Sequence, residues 1–395
     1  MDRVRNPYAP GAGSPPPELA GRENLVEDAK VIIGRIKAGR PTQGMILTGL
    51  RGVGKTVLLS EIRKIGEQEG FAVLLIEAHE GKKLAEMLVP PLRELLFSMN
   101  AAEKARTLAA RGLRVLKSFV SSLSITIEGV TFGLGVDPET GTADSGDLEA
   151  DLPRVFEIVG EAAKAADRPV LILLDEIQYL EPVEFSALIM AIHRVNQRQL
   201  PIALVAAGLP QTLALAGNSK SYAERLFRYP EVGALDDDAA RRALREPARS
   251  EGADFTEQAI DRILEVTKRY PYFLQQWGYD SWNVAPRTPI SAEDVDHATE
   301  HAIGELDQSF FKVRFDRCTP AEKRYMRALA SLGPGTQRSG DVAESLGVKV
   351  TSLGPVRNSL IRKGMIYSPA HGDTAFTVPL FDEFMIRAMP ELNAG

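Results

Sequence analysis

The chain has 395 residues, enough for two or three domains, and its 44% hydrophobic and 25% charged content is that of an ordinary globular protein. A net charge of −6 excludes nucleic-acid binding by overall charge, and the single cysteine, Cys318, excludes an internal disulfide. No stretch has the apolar length of a signal peptide or a bilayer span, and the five histidines form no metal-type group, so a cytoplasmic, non-membrane protein is expected.

Residues 7–17 are too rich in proline and glycine for a helix or a central strand, so residues 1–20 are expected as an extended arm. A helix over 23–39 follows. Met45–Thr48 reads as a short buried strand and Val57–Glu69 as a helix with Leu58, Ile62 and Ile65 on one face. Between them stands Gly49-Leu50-Arg51-Gly52-Val53-Gly54-Lys55-Thr56, the P-loop pattern. Its glycines allow turns that aim successive N–H groups at phosphate oxygens. Lys55 supplies a point charge to the terminal phosphates, Thr56 a hydroxyl for Mg²⁺, and the helix N-terminus a partial positive charge. Gly49, Arg51, Gly52, Val53, Gly54, Lys55, Thr56 and Val57 are therefore the candidate contacts for ATP or ADP.

Further on, Phe71–Glu77 reads as a second buried strand. Residues 82–100 read as a helix interrupted at Pro90-Pro91, residues 101–120 as a basic helix, and 124–136 as a hairpin followed by a loop to 147. Helix returns over 148–166. Pro169–Asp175 is an apolar run that ends in Asp175-Glu176. After a helix at 182–199, Pro201–Ala207 is a fourth strand, and a short fifth is expected near 228–234. Strands alternating with helices predict a parallel sheet covered on both faces, with ligands at the carboxyl ends of the strands. There Asp175 is suited to hold Mg²⁺ through water, and Glu176 to orient and deprotonate an attacking water.

From Asp236, a helix N-cap, the pattern is helical to about 315. Residues 316–395 read as three helices and a strand pair, with Thr319-Pro320, Ser339–Leu346 and Thr351–Lys363 as the helix landmarks. This order is that of a winged helix-turn-helix. Lys312 to Lys363 holds eleven cations and four anions. The third helix offers Lys349, Thr351, Arg357, Arg362 and Lys363 to duplex DNA, and five phosphate contacts would make log K fall with log salt at a slope of about −4 to −5. The same layout also serves protein contacts, with the cations as solvated faces.

Gly49–Thr56 resembles the Walker A motif, and Leu171–Glu176 the Walker B motif, of AAA+ ATPases. Residues 236–306 are similar to the helical lid of that class. Ala20-Gly21-Arg22-Glu23 resembles the box ahead of the P-loop in origin-recognition-type members, which implies that Arg22 lies near adenine. The resemblance covers about residues 15–390. It implies an α/β AAA+ parallel-sheet core (21–235), a lid (236–315) and a C-terminal winged helix (316–395), with ATP and Mg²⁺ as cofactors. It also implies homo-oligomers, with duplex DNA or a protein as partner. Three departures stand out. No polar sensor residue ends the fourth strand, which reads Ala206-Ala207-Gly208. The lid carries Arg269-Tyr270-Pro271, closer to the Gly-x-Pro motif of STAND switch ATPases, so Pro271 is a candidate nucleotide contact. Arg225 is placed like an arginine finger reaching a neighbour's γ-phosphate. Two readings stay open: an ATPase coupling nucleotide state to oligomerisation and DNA binding, and a STAND-like switch whose winged helix packs on its own chain or a partner.

Overall fold

The computed structural model describes residues 1–11, 16–100, 103–123, 136–213, 217 and 223–392. The chain divides into two compact units: one is Asn24–Thr48 with Leu58–Glu231, the other Met1–Glu23 with Gly49–Val57 and Val232–Gly395.

The first of these units is a five-stranded sheet with helices. The strands β1 (Gly44–Thr48), β2 (Ala72–Glu77), β3 (Val170–Asp175), β4 (Ile202–Gly208) and β5 (Phe227–Arg228) lie in the order β2-β3-β4-β1-β5, and every pairing is parallel. β1, β3 and β4 are buried along their whole length, which is why they read as continuous apolar runs rather than alternating ones. Their register sets Thr48 opposite Gly208 and Leu174 opposite Ala206, so all three end at one carboxyl edge. The expected fifth strand is only two residues long, extended by a bridge between Thr48 and Glu231.

Helices α1 (Glu23–Lys37), α2 (Lys55–Gln68), α3 (Leu84–Asn100), α4 (Arg106–Ser122), α5 (Leu148–Ala165), α6 (Pro182–Gln197) and α7 (Ala223–Leu226) complete the α/β region. Pro90 and Pro91 do not interrupt α3: the helix runs through them, because Leu88, Val89, Leu92 and Leu96 are all buried and their packing outweighs the lost backbone bonds. Cations of α4 pair with the segment that follows it. Arg111 pairs with Glu139 at 2.9 Å and Lys117 Nζ donates to the Val136 carbonyl at 2.6 Å. The hairpin expected over 124–136 falls almost wholly outside the described residues.

The other unit holds the P-loop, a helical subdomain and the C-terminal segment. The subdomain is α8 (Asp237–Ser250), α9 (Glu257–Thr267), α10 (Pro271–Val284) and α11 (Ala292–Glu305). Side chains of Asp236, Thr256 and Ser291 cap α8, α9 and α11. The N-terminal residues are anchored on it rather than free: Tyr8 is buried, its hydroxyl donates to the Leu244 carbonyl, and its ring fills the space beside Gly278.

A π-helical turn, Leu306–Phe311, leads through α12 (Lys312–Asp316) to the C-terminal helices α13 (Pro320–Ser331), α14 (Ser339–Leu346), α15 (Gly354–Arg362) and α16 (Phe381–Ala388). With them goes an antiparallel sheet of β6 (Gln337–Arg338), β8 (Asp373–Phe376) and β7 (Ile366–Tyr367). The expected third helix is split. Val350–Leu353 is a 3₁₀ turn and α15 starts at Gly354-Pro355, the position where proline costs a helix nothing. Among the described residues no helix is long and apolar enough to cross a membrane.

Candidate nucleotide site

The P-loop leaves β1 at Gly49 and ends where α2 begins at Lys55. Gly49 has no room for a side chain, since a Cβ would stand 2.1 Å from the Val232 carbonyl oxygen. Gly52 and Gly54 take φ of 83° and 94°, the left-handed region that favours glycine. Lys55 is buried, and its ammonium donates to the carbonyls of Gly49 (2.9 Å) and Leu50 (2.8 Å), tying the loop to the first turn of α2. Thr56 follows it in that turn, exposed. A glycine-turned loop, a helix N-terminus and a lysine held inside the loop together fit a chain of phosphates.

Arg22 joins this loop. It is buried, and its guanidinium donates to the carbonyls of Val53 (3.2 Å) and Gly233. Burial holds its pKa below the usual arginine value, although Asp236 and Glu23 pull the other way. Pro271 opens α10, but its neighbours make the contacts. The Tyr270 hydroxyl donates to the Arg51 carbonyl, and the Tyr272 N–H donates to the Gly52 carbonyl at 3.2 Å. Two consecutive left-handed residues, Lys268 and Arg269, turn the chain just before them. Burial pushes the Tyr270 phenol far above its ordinary pKa, so it serves as a donor. From the C-terminal segment, the Thr377 carbonyl accepts the Arg51 N–H at 3.1 Å, and Gly364 lies against the Arg51 guanidinium. No local pattern in the sequence announces these clasps, which join residues more than two hundred positions apart.

In the sheet unit, Asp175 ends β3 and is buried; its Oδ1 accepts the Glu176 N–H at 2.8 Å. Glu176 is left-handed (φ 54°, ψ 37°) and begins the 3₁₀ turn Ile177–Tyr179. Its carboxylate accepts from the Gln178 amide, and Gln178 Oε1 accepts the Leu209 N–H at 3.0 Å. Gln178 was not among the sequence candidates. Its only sequence signal is a polar side chain two places after the carboxylate pair.

Residues 18–205 match the AAA ATPase domain family. This segment is an AAA ATPase domain. Residues 308–385 match a second family, described as "Domain of unknown function (DUF8462)". The structure is similar to the Walker-type ATPase PABY2304 of Pyrococcus abyssi (15% identity, 92% of this chain and 95% of that one, TM-score 0.54), a likeness that shows the fold. Weaker likenesses are to the Aeropyrum pernix Orc1 protein in complex with DNA (14%, 99% and 97%, TM-score 0.48) and to Cdc6p from Pyrobaculum aerophilum (15%, 98% and 97%, TM-score 0.48). No curated protein matches the chain.

Outside the AAA ATPase domain, Arg225 is exposed on α7, where its carbonyl accepts from Gln43 Nε2 at 2.8 Å. Two of the five cationic and polar residues expected to face DNA are otherwise engaged. Arg357 donates to Thr374 Oγ1 (3.0 Å), Ser368 Oγ (2.7 Å) and the Asp373 carbonyl (2.7 Å), and so holds the β7–β8 hairpin. Lys363 donates to Glu322 (2.7 Å) and the Arg317 carbonyl (3.0 Å). Both side chains are held by acceptors of their own segment. Lys349, Thr351 and Arg362 are exposed.

Proposed function

We propose that the protein is an ATP-binding and ATP-hydrolysing switch in which the C-terminal segment reads the state of the P-loop. The observation that carries this is the clasp on Arg51 and Gly52: their backbone bonds go to Tyr270 and Tyr272 of the helical subdomain and to Thr377 of the C-terminal segment. One loop thus serves two masters. Any adjustment that turns the Arg51 N–H toward a phosphate takes it from the Thr377 carbonyl. Nucleotide and C-terminal segment then bias one equilibrium, and their coupling is reciprocal. An aromatic run supports the same link: Tyr272 stacks on Phe310 (4.7 Å between centroids), which meets Phe311, and Phe311 meets Phe381 and Phe384 of α16.

In this reading Gly49, Gly52, Val53 and Gly54 present backbone to the phosphates, Lys55 neutralises them, Arg22 and Pro271 border the base, and Thr56 with Asp175 hold Mg²⁺. Bound ATP·Mg²⁺ supplies the scissile phosphoanhydride and its charge neutralisation. Glu176 takes the proton of the attacking water, and Arg225 serves a neighbouring subunit in an oligomer. A second reading, duplex DNA binding by the C-terminal segment as a winged helix, is favoured by exposed Arg338, Lys349 and Arg362.

The test is amide hydrogen exchange with and without Mg·ATP. Protection over residues 364–388 is expected to change with nucleotide and to stay constant in Lys55→Ala. Identical exchange in a protein shown to bind ATP would overturn the switch.

A further inference from the structure

β4 ends without the polar side chain expected there, and the structure supplies the reason. A Cβ at Gly208 would stand 2.5 Å from Thr212 Oγ1, 2.9 Å from Ile177 Cγ1 and 3.2 Å from Gln178 Oε1. The space in which a residue 208 side chain would stand is already taken. One occupant, Gln178, is bonded at both ends. Its carbonyl oxygen accepts the Leu209 N–H just past β4, and its NH₂ donates to Glu176 Oε2. The amide orientation follows from its partners, because a backbone N–H can only donate and a carboxylate can only accept. A second polar occupant, Thr212, has a fully buried hydroxyl with no partner among the described residues, so another polar atom lines the same spot.

We propose that Gln178 is the positioning residue for Glu176, doing from the turn after β3 what a polar residue at the end of β4 would do. This rests on Glu176 being the base of an ATPase. A base must aim a lone pair at the proton it takes, and a carboxylate on a two-bond stem rotates unless it is held. Gln178 holds one oxygen and leaves the other to accept. It cannot swing away without breaking its bond to Leu209, so the carboxylate is referenced to the frame of β4 as well as to its own turn. The left-handed backbone at Glu176 bends the chain sharply enough for residue 178 to face back on residue 176, a conformation a non-glycine residue keeps only under constraint. Asparagine, one methylene shorter, would not span both partners.

The experiment is steady-state ATP hydrolysis over a pH series, with binding of a fluorescent ATP analogue measured in parallel. It uses the full chain as wild type, Glu176→Gln, Gln178→Ala and Gln178→Glu. Gln178→Ala is expected to lower kcat about ten- to a hundredfold with nucleotide affinity kept within about threefold, the loss typical of a misplaced reacting group. Gln178→Glu keeps the length and the acceptor for Leu209 but sets a carboxylate against a carboxylate. Its kcat is expected to fall as well while nucleotide affinity stays within about threefold, a split between turnover and binding that a merely structural residue would not give. Unchanged or raised kcat in both variants, beside an inactive Glu176→Gln, overturns the positioning role and leaves the ATPase reading standing. Full activity in Glu176→Gln overturns both.

Discussion

Gly49 shows how little freedom the P-loop has at its first position. The carbonyl of Val232 occupies the place of a side chain, and a backbone atom cannot swing aside as the end of a lysine can. Gly49→Ala is therefore expected to displace the loop and cost about 1–3 kcal/mol, the usual penalty of overpacking. Thermal unfolding with and without Mg·ATP checks this: the wild type should gain stability from nucleotide and the variant should not. The identities of these residues were legible because each is demanded by local chemistry, glycine for backbone and lysine for charge. The groups that hold the loop from outside were not legible. Tyr270, Tyr272 and Thr377 act through a hydroxyl, a backbone N–H and a carbonyl, and a backbone group carries no mark in a sequence.

At the scale of elements, the C-terminal helices are joined through one buried acid. Glu322 completes the capping box of α13 with Thr319 and accepts from Ser359 Oγ and Lys363 Nζ, both at 2.7 Å. Burial by itself raises its pKa, but the hydrogen bonds from Lys363, Ser359 and Thr319 outweigh it and hold the carboxyl below its ordinary value. A depressed carboxylate contributes stability that is present above its unfolded pKa and is lost as pH falls through its folded one. Unfolding of the wild type should therefore become easier on acidification below about pH 4.3. Glu322→Gln is expected to cost about 1.5–3 kcal/mol at neutral pH and to flatten that acid dependence, read from unfolding midpoints over a pH series. The start of α13 was visible in Thr319-Pro320. The role of Glu322 was not, because Ser359 and Lys363 arrive on another helix. The same contest explains α3, where burial carries a helix through two prolines.

For the whole molecule, the charge of the C-terminal region has to be counted after its internal pairs are removed. Arg357 and Lys363 are spent on the hairpin and on Glu322, whereas Arg338, Lys349 and Arg362, on β6 and around the third helix, are exposed. If these meet phosphates, log K for duplex DNA should fall with log salt at a slope of about −3, and Lys349→Ala or Arg362→Ala should each reduce it by about 1. Fluorescence anisotropy over a salt series measures this, and no binding at low salt removes the DNA reading. As a sequence, the chain already announces its parallel sheet, its P-loop and the carboxylate pair that ends β3. These follow from patterns a few residues long: apolar runs, glycine turns and caps whose physics is local. Which cations are free, why β4 ends in glycine and what grips the P-loop depend on groups that meet only after folding. Competition for buried acceptors and for space is settled by packing in three dimensions, and there the tertiary structure alone decides.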